Sequence, residues 1–203
     1  MSLLISTWIK FFFLFAPFFV LSMFLALTRG EAPQARKSVA NKAIIAALAI
    51  SLVLMFFGSA LFEVLGITLD SFRIGSGILL FMSAISLVRD GTRNHATGMP
   101  NEERDDVSVV PLAVPTIIGP ATIGTILVYG AEFQGWDLVI GVLGLVGALL
   151  TLGVILYSGS LIEKLLGRTG LNILSKITGL ILAAMAAQIF MGGVMGFLHP
   201  VAP

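Results

Sequence analysis

The stretch VVPLAVPTIIGPATIGT, residues 109–125, decides the fold of this chain. It is apolar enough to enter a lipid bilayer, yet it carries Pro111, Pro115 and Pro120, with Gly119 beside the last of them. Because proline lacks an amide donor and clashes with the carbonyl one turn back, we do not expect one smooth helix here. Broken backbone at membrane depth is tolerated only where protein or a water-filled cavity covers the freed polar groups. The stretch is therefore a candidate binding site, with a proline-kinked packing helix as the alternative.

The composition places the whole chain in a membrane. Its 203 residues are 57% hydrophobic and 11% charged, whereas soluble domains carry about 25% charged residues. A spanning helix needs about 20 apolar residues, so this length accommodates about six spans. The net charge of +1 argues against a nucleic acid partner, and there is no cysteine for disulfides or thiolate chemistry. We predict an all-α polytopic membrane protein that forms a single transmembrane domain over residues 1–203, with the lipid bilayer as its surroundings.

Six apolar segments are predicted to span the bilayer, and the fourth of them contains the proline-rich stretch. They cover residues 3–27, 43–65, 70–88, 109–130, 138–161 and 177–198. Three polar segments are predicted to be non-helical connections, at residues 28–42, 91–106 and 163–176. The middle one contains Glu102, Glu103, Asp105 and Asp106, and we interpret it as a solvated cytoplasmic loop rather than a metal site.

The basic residues predict the orientation of the chain. Every Lys and Arg except Lys10 and Arg73 lies in or beside the connections after the first, third and fifth spans. Short loops rich in Lys and Arg face the cytoplasm. We therefore predict that these three connections are cytoplasmic and that both termini are periplasmic.

The chain also matches itself weakly at a shift of 103 residues. At this shift Pro17 falls on Pro120 and Arg73 falls on Lys176. A repeat of three spans must insert its second copy upside down, and inverted repeats with broken helices near the midplane are typical of secondary transporters. We predict such repeats, with helices one and four broken at prolines; chance similarity between apolar helices is the alternative. The repeats cover about residues 3–90 and 107–198.

The two proline breaks define the predicted substrate site. The N-terminus of a half-helix favours a carboxylate, and exposed carbonyls favour an ammonium group or a cation, so an amino acid zwitterion suits both. No Asp, Glu or His lies deep in a predicted span, so a small neutral solute fits better than a metal ion. Hydroxyls in spans often bond to their own helix instead. The predicted substrate-binding residues are Ala16, Pro17, Phe18, Ser22, Pro115, Thr116, Gly119, Pro120, Ala121, Thr122 and Thr125.

Four polar residues near span ends are candidates for gating or coupling. Asp70 and Arg73 lie at the outer end of the third span, and Asn172 and Lys176 lie at the inner end of the sixth. The alternative for Asp70 and Arg73 is a helix cap with a snorkelling base. We predict no catalytic residue, no cofactor and no enzyme activity, because the spans lack a histidine or carboxylate within reach of a nucleophile.

These residues resemble the MarC family of bacterial inner-membrane proteins, which also includes transporters of small neutral amino acids. The most specific part is PLAVP at residues 111–115, followed by Gly119-Pro120. The run DSFRIGSG at residues 70–77 is similar to the family's Asp-Ser-Phe-Arg-Ile-Ala-Gly-Gly, and TGLN at residues 169–172 resembles the start of its last span. The resemblance implies two inverted triplets of spans in the inner membrane. It also implies transport of amino acids such as glycine or alanine, coupled to protons or sodium.

The first span departs from the family pattern. Where the family has Asn-Pro-x-Gly-x-x-Pro, this chain has APFFVLS at residues 16–22, and Phe19 would fill space that glycine leaves open. Two rivals to the amino acid transporter therefore stay open: an exporter of another small metabolite or drug, and a membrane scaffold without a transported substrate. The small-residue spacing of Gly192 and Gly196 favours helix packing and leaves a homo-oligomer open.

Overall fold

The computed structural model describes residues 2–91 and 108–198, and this part of the chain consists of helices and short connections without strands. One element is a π-helix, Ser108–Ile117. The α-helices are α1 (Ser2–Leu14), α2 (Pro17–Leu27), α3 (Pro33–Leu65), α4 (Leu69–Asp90), α5 (Pro120–Glu132), α6 (Trp136–Tyr157) and α7 (Gly159–Leu198).

Four of the helices, α3, α4, α6 and α7, are long and apolar enough to cross a membrane. Helices α1 and α2 meet the same criteria together and are bent by 41° where they join. The described residues therefore contain four or five candidate spans, against the six predicted. The π-helix and α5 are not among them, and residues 92–107, which hold nearly all of the predicted acidic loop, lie outside the described part of the chain.

Two of the predicted connections are helical over most of their length. Helix α3 begins at Pro33, inside the segment predicted as a loop at residues 28–42. Proline is preorganised for the first position of a helix, and the Gln, Ala, Arg and Lys residues that follow are strong helix formers. Helix α7 likewise runs through residues 163–176, interrupted only at Gly167, whose φ is 66°. The polar residues show where these segments leave the apolar core, but the helices continue beyond that point.

Contacts between helix ends show how the chain runs. Arg73, near the start of α4, contacts Glu132 at the end of α5. Tyr157, at the end of α6, hydrogen-bonds Asn41 near the start of α3. These contacts define two ends of the helical bundle. We call one the basic end, where Arg29, Arg36, Arg89 and Arg168 lie, and the other the opposite end, where Asp70, Arg73 and Glu132 lie.

Glycines let several helices approach closely. Three of the four glycines of α6 lie close to neighbouring elements: Gly141 lies against Phe133 and Met55, Gly144 lies against Thr7 and Trp8, and Gly147 lies against Trp8. A Cβ added to Gly58 of α3 would lie 2.8 Å from the carbonyl oxygen of Leu127 in α5. The bundle is therefore held by backbone proximity, which is the common way in which membrane helices associate.

Candidate functional site

The first break separates α1 from α2 at Ala16. This residue is in the left-handed region, with φ 45° and ψ 60°, which residues other than glycine rarely adopt. Its amide donates to the Phe13 carbonyl at 2.9 Å, and its own carbonyl accepts from the Val20 amide at 3.0 Å. Pro17 then occupies the first position of α2, where its missing donor costs nothing. The chain thus ends one helix and starts another within the apolar core.

The second break lies between the π-helix and α5. The Ile118 amide donates to the Ala113 carbonyl at 2.9 Å, five residues back. Gly119 is extended, with φ −85° and ψ 172°, and Pro120 begins α5. Proline removes an ordinary helical donor each time it occurs, which explains the irregular backbone here. Helical segments with this wider bonding pattern are rare and frequent at functional sites.

The two breaks produce similar helix starts. Helices α2 and α5 each begin at a proline. In both, the carbonyl of the residue before the proline accepts the first helical hydrogen bond: Ala16 accepts from the Val20 amide, and Gly119 accepts from the Ile123 amide. The first-turn amides of Phe18 and Ala121 have no acceptor within their own helices. Aligned amide dipoles make a helix N-terminus attractive to an anionic group. Both breaks therefore offer the type of donor that a carboxylate needs.

A cavity of about 320 Å³ lies between the two breaks, and we call it the central cavity. Its volume is near the lower limit of the range of about 300–1,000 Å³ that is usual for small-molecule sites. It is lined by Leu14, Ala16, Phe19, Met23, Leu80, Ser83, Ser86, Leu87, Thr116, Gly119, Pro120, Ala121, Thr122 and Leu182.

The central cavity brings together part of the predicted substrate site. Six predicted residues line it: Ala16, Thr116, Gly119, Pro120, Ala121 and Thr122. Pro17 is buried and Phe18 is partly buried, but neither is among the lining residues. Thr125 is fully buried, and its hydroxyl donates to the Ala121 carbonyl of its own helix at 2.8 Å. The side chain of Pro115 is outside the described part of the chain, and Ser22 lines a different cavity at the basic end.

Sequence reasoning missed the wall that α4 provides. Leu80, Ser83, Ser86 and Leu87 line the central cavity from this helix. The hydroxyl of Ser83 donates to the Leu79 carbonyl at 3.1 Å, which is the usual bond of a serine within a helix. At the sequence shift of 103 residues, Ser83 and Ser86 fall on Ala186 and Ile189, so the sequence match gave no signal for these serines. Only the packing of α4 against the breaks identifies these residues.

The candidates for gating form contacts at both ends of the bundle. Arg73 donates to Asp70 and to Glu132, with nitrogen–oxygen distances of 2.8 Å in both ion pairs. The hydroxyl of Thr68, and not Asp70, caps α4, since it accepts from the Ser71 amide at 3.2 Å. The helix-cap interpretation of Asp70 is therefore wrong.

At the basic end, the Lys176 ammonium donates to the Arg89 carbonyl at 3.5 Å and so joins α7 to α4. Asn172 lies against Gly91, just beyond the end of α4, so closely that a Cβ at Gly91 would overlap its side-chain oxygen. Gly91 has a φ of 54°, which also favours glycine. Arg73 and Lys176, which are counterparts in the sequence match, thus each join α4 to a neighbouring helix at opposite ends.

Comparison with known proteins places the chain in a family. The model of the MarC family of integral membrane proteins matches residues 1–198. A UPF0056 membrane protein of Methanocaldococcus jannaschii is 34% identical, over 90% of this chain and 91% of its own. The UPF0056 inner membrane protein YhgN of Escherichia coli K12 is 31% identical, over 86% of this chain and 87% of its own. No solved structure matches the chain significantly. The chain is an integral membrane protein that belongs to the MarC family.

Proposed function

We propose that this protein is a secondary transporter of small neutral amino acids that works by alternating access in the bacterial inner membrane. The central cavity carries the proposal, because two broken helices meet in it. Its walls combine the N-termini of α2 and α5 with the polar side chains of Ser83, Thr116 and Thr122. Amide dipoles suit the carboxylate of a zwitterion, and the carbonyl ends of α1 and the π-helix suit its ammonium group.

An arrangement of six spans in two inverted repeats is part of this proposal. In this arrangement each broken pair counts as one span, so that α1 with α2 and the π-helix with α5 each supply one of the six. Pairs of helices also repeat: α1 packs on α6 as the π-helix packs on α3, and α2 packs on α7 as α5 packs on α4. Exchanging the two halves of the chain converts each of these pairs into the other. This symmetry supports a two-state mechanism in which the repeats exchange conformations.

Coupling and orientation follow from the charges. The central cavity has no carboxylate or imidazole in its described lining, so a coupling sodium ion would be held by carbonyls and hydroxyls, as in other transporters with broken helices. Coupling to protons would use Asp70, whose carboxylate Arg73 holds at the opposite end. The concentration of Arg and Lys at the basic end supports a cytoplasmic location for that end and periplasmic termini.

The two rival functions make different demands on the structure. A scaffold needs no space at its centre, and the central cavity weighs against it. An exporter of another metabolite would use the same architecture with different pocket chemistry. The lining is largely apolar and has no acidic side chain among the described residues, so it is poorly suited to a cationic drug.

Uptake by proteoliposomes tests the proposal. Purified protein is reconstituted and given labelled glycine, alanine or serine under a proton gradient and, separately, a sodium gradient. Saturable uptake that Thr122→Val abolishes is the expected result, because the Thr122 side chain lines the central cavity. Thr125→Val is the matched control: this hydroxyl is buried and bonded within α5, so transport should persist. Absence of uptake of all three solutes under both gradients, with folded protein, would overturn the proposal.

A further inference from the structure

A second cavity, of about 610 Å³, lies at the basic end of the bundle, and we call it the basic vestibule. Met23 of α2 lines both the basic vestibule and the central cavity. Its side chain is almost completely buried, with 3% exposed. Methionine is unbranched and has three rotatable bonds, so the Met23 side chain can change its rotamer between the two cavities without moving the backbone.

The basic vestibule carries an excess of positive charge. Arg29, Arg36 and Arg168 line it, and Glu163 is the only acidic residue in its described lining. The Arg168–Glu163 pair is separated by 3.7 Å and has a strongly exposed arginine, so it is a weak pair. The Arg36 side chain donates through Nε to the Thr28 carbonyl at 3.1 Å. A concave surface of this kind raises the local concentration of anionic groups.

The other half of the bundle is closed by several layers. Phe11 and Tyr129 are buried and in edge-to-face contact, with ring centroids 5.5 Å apart. A Cβ added to Gly124 of α5 would lie 2.8 Å from the Cβ of Ser76 in α4. The ion pair of Arg73 and Glu132 lies beyond these contacts, at the opposite end. The α4 residues that line the central cavity, by contrast, lie in the half of this helix nearer the basic end.

We propose that Met23 is the gate between the central cavity and the basic vestibule, and that the vestibule admits solutes through their carboxylate. This inference rests on the proposed function and adds the route, the gating residue and the chemical group that is recognised at the entrance. Among the described residues, the opposite end is closed by the contacts above, and Met23 is the residue that lines both the central cavity and the basic vestibule. A rotamer change of Met23 would join the two cavities.

Cysteine reporters test the gate, because the natural chain contains no cysteine. Ser86→Cys places a thiol in the central cavity and Ser22→Cys places one in the vestibule. Membrane-impermeant methanethiosulfonates are added to the basic-end side of oriented vesicles. If the gate is open about 0.1–10% of the time, Met23→Ala should speed labelling of Ser86→Cys by about 10-fold to 1,000-fold. Met23→Ser is the second variant, in case the first does not fold.

Matched controls separate the gate from general loosening. Leu25→Ala should leave labelling of Ser86→Cys unchanged, because Leu25 lines the vestibule and not the central cavity. Labelling of Ser22→Cys should be rapid with or without Met23→Ala. If Ser86→Cys were labelled at the same rate with and without Met23→Ala, the proposal that Met23 is the gate would be overturned.

The charge of the reagent tests the vestibule. A sulfonate reagent should label Ser22→Cys about tenfold or more faster than a trimethylammonium reagent, an advantage typical of electrostatic focusing. The combined variant Arg29→Gln and Arg36→Gln should erase that advantage. Equal rates for the two reagents would overturn the recognition of carboxylates. These labelling measurements need no transported solute. If labelling behaves as expected but no amino acid is taken up, the proposed substrate is wrong and the proposed gate at Met23 is still supported.

Discussion

Arg73 and Glu132 form an ion pair that joins α4 to α5, with 2.8 Å between Nη2 and Oε1. The Arg73 Nε also donates to the same carboxylate oxygen at 2.9 Å, and Nη1 donates to Asp70 at 2.8 Å. Helix α5 begins at the second break and ends at Glu132. The ion pair therefore anchors the far end of a helix whose near end lines the central cavity.

Removing this anchor should weaken the bundle. The two side chains are 24% and 29% exposed, so Glu132→Gln should lower the free energy of unfolding by about 1–2 kcal/mol, between the values for exposed and buried pairs. Thermal unfolding in detergent measures the change. Glu163→Gln, which breaks the weak and exposed pair with Arg168 at 3.7 Å, is the control and should have almost no effect. Equal changes in the two variants would show that the anchor contributes nothing.

Substitutions at Ala16 should follow the preferences of the left-handed conformation. Ala16→Gly and Ala16→Asn should be tolerated or stabilising, because glycine and asparagine adopt a positive φ readily. Ala16→Val should lower the free energy of unfolding by about 1–3 kcal/mol, since a β-branched residue is strained there. Ala148→Gly, in the middle of α6, is the control and should destabilise by about 0.5–1 kcal/mol. If Ala16→Gly lowered the free energy of unfolding as much as Ala148→Gly does, the left-handed assignment of Ala16 would be contradicted.

The close approach of α5 to α3 depends on Gly130. A Cβ at this position would overlap the backbone carbonyl of Met55, which cannot move without shifting α3. Gly130→Ala should therefore prevent folding or lower the free energy of unfolding by about 1–3 kcal/mol. Gly75→Ala is the matched control in α4, because nothing lies within 4 Å of its added Cβ. Monodisperse elution and an unchanged melting temperature for Gly130→Ala would contradict the packing.

The size of the central cavity should depend on Phe19. Its ring lines the cavity, at the place where the resemblance to the MarC family leads one to expect glycine. In the Phe19→Ala variant, larger amino acids such as leucine should therefore compete with labelled alanine for uptake. Phe18→Ala removes a neighbouring ring that is not among the lining residues and should leave the ranking of competitors unchanged. An identical ranking in both variants would mean that Phe19 does not limit the substrate.

The local chemistry of the breaks was predictable from single residues. Pro17 and Pro120 each remove a helical donor, and both breaks lie beside them as predicted. The lengths of α3 and α7 were not predictable from hydropathy, because hydropathy reports where a segment leaves the apolar core. Helix propensity extends α3 back to Pro33, and in α7 only Gly167 departs from helical geometry.

The sequence alone determined that this is a membrane protein. It also determined the breaks at Pro17 and Pro120 and the basic character of one end of the bundle. These properties depend on composition and on local backbone chemistry. Only the tertiary structure decided that the two breaks face one cavity, that Ser83 and Ser86 join its wall, and that Arg73 reaches Glu132. Each of these relationships depends on how helices far apart in the chain rotate and pack against one another. That rotation is set by side-chain and glycine contacts summed over the whole bundle, and no local stretch of sequence contains them.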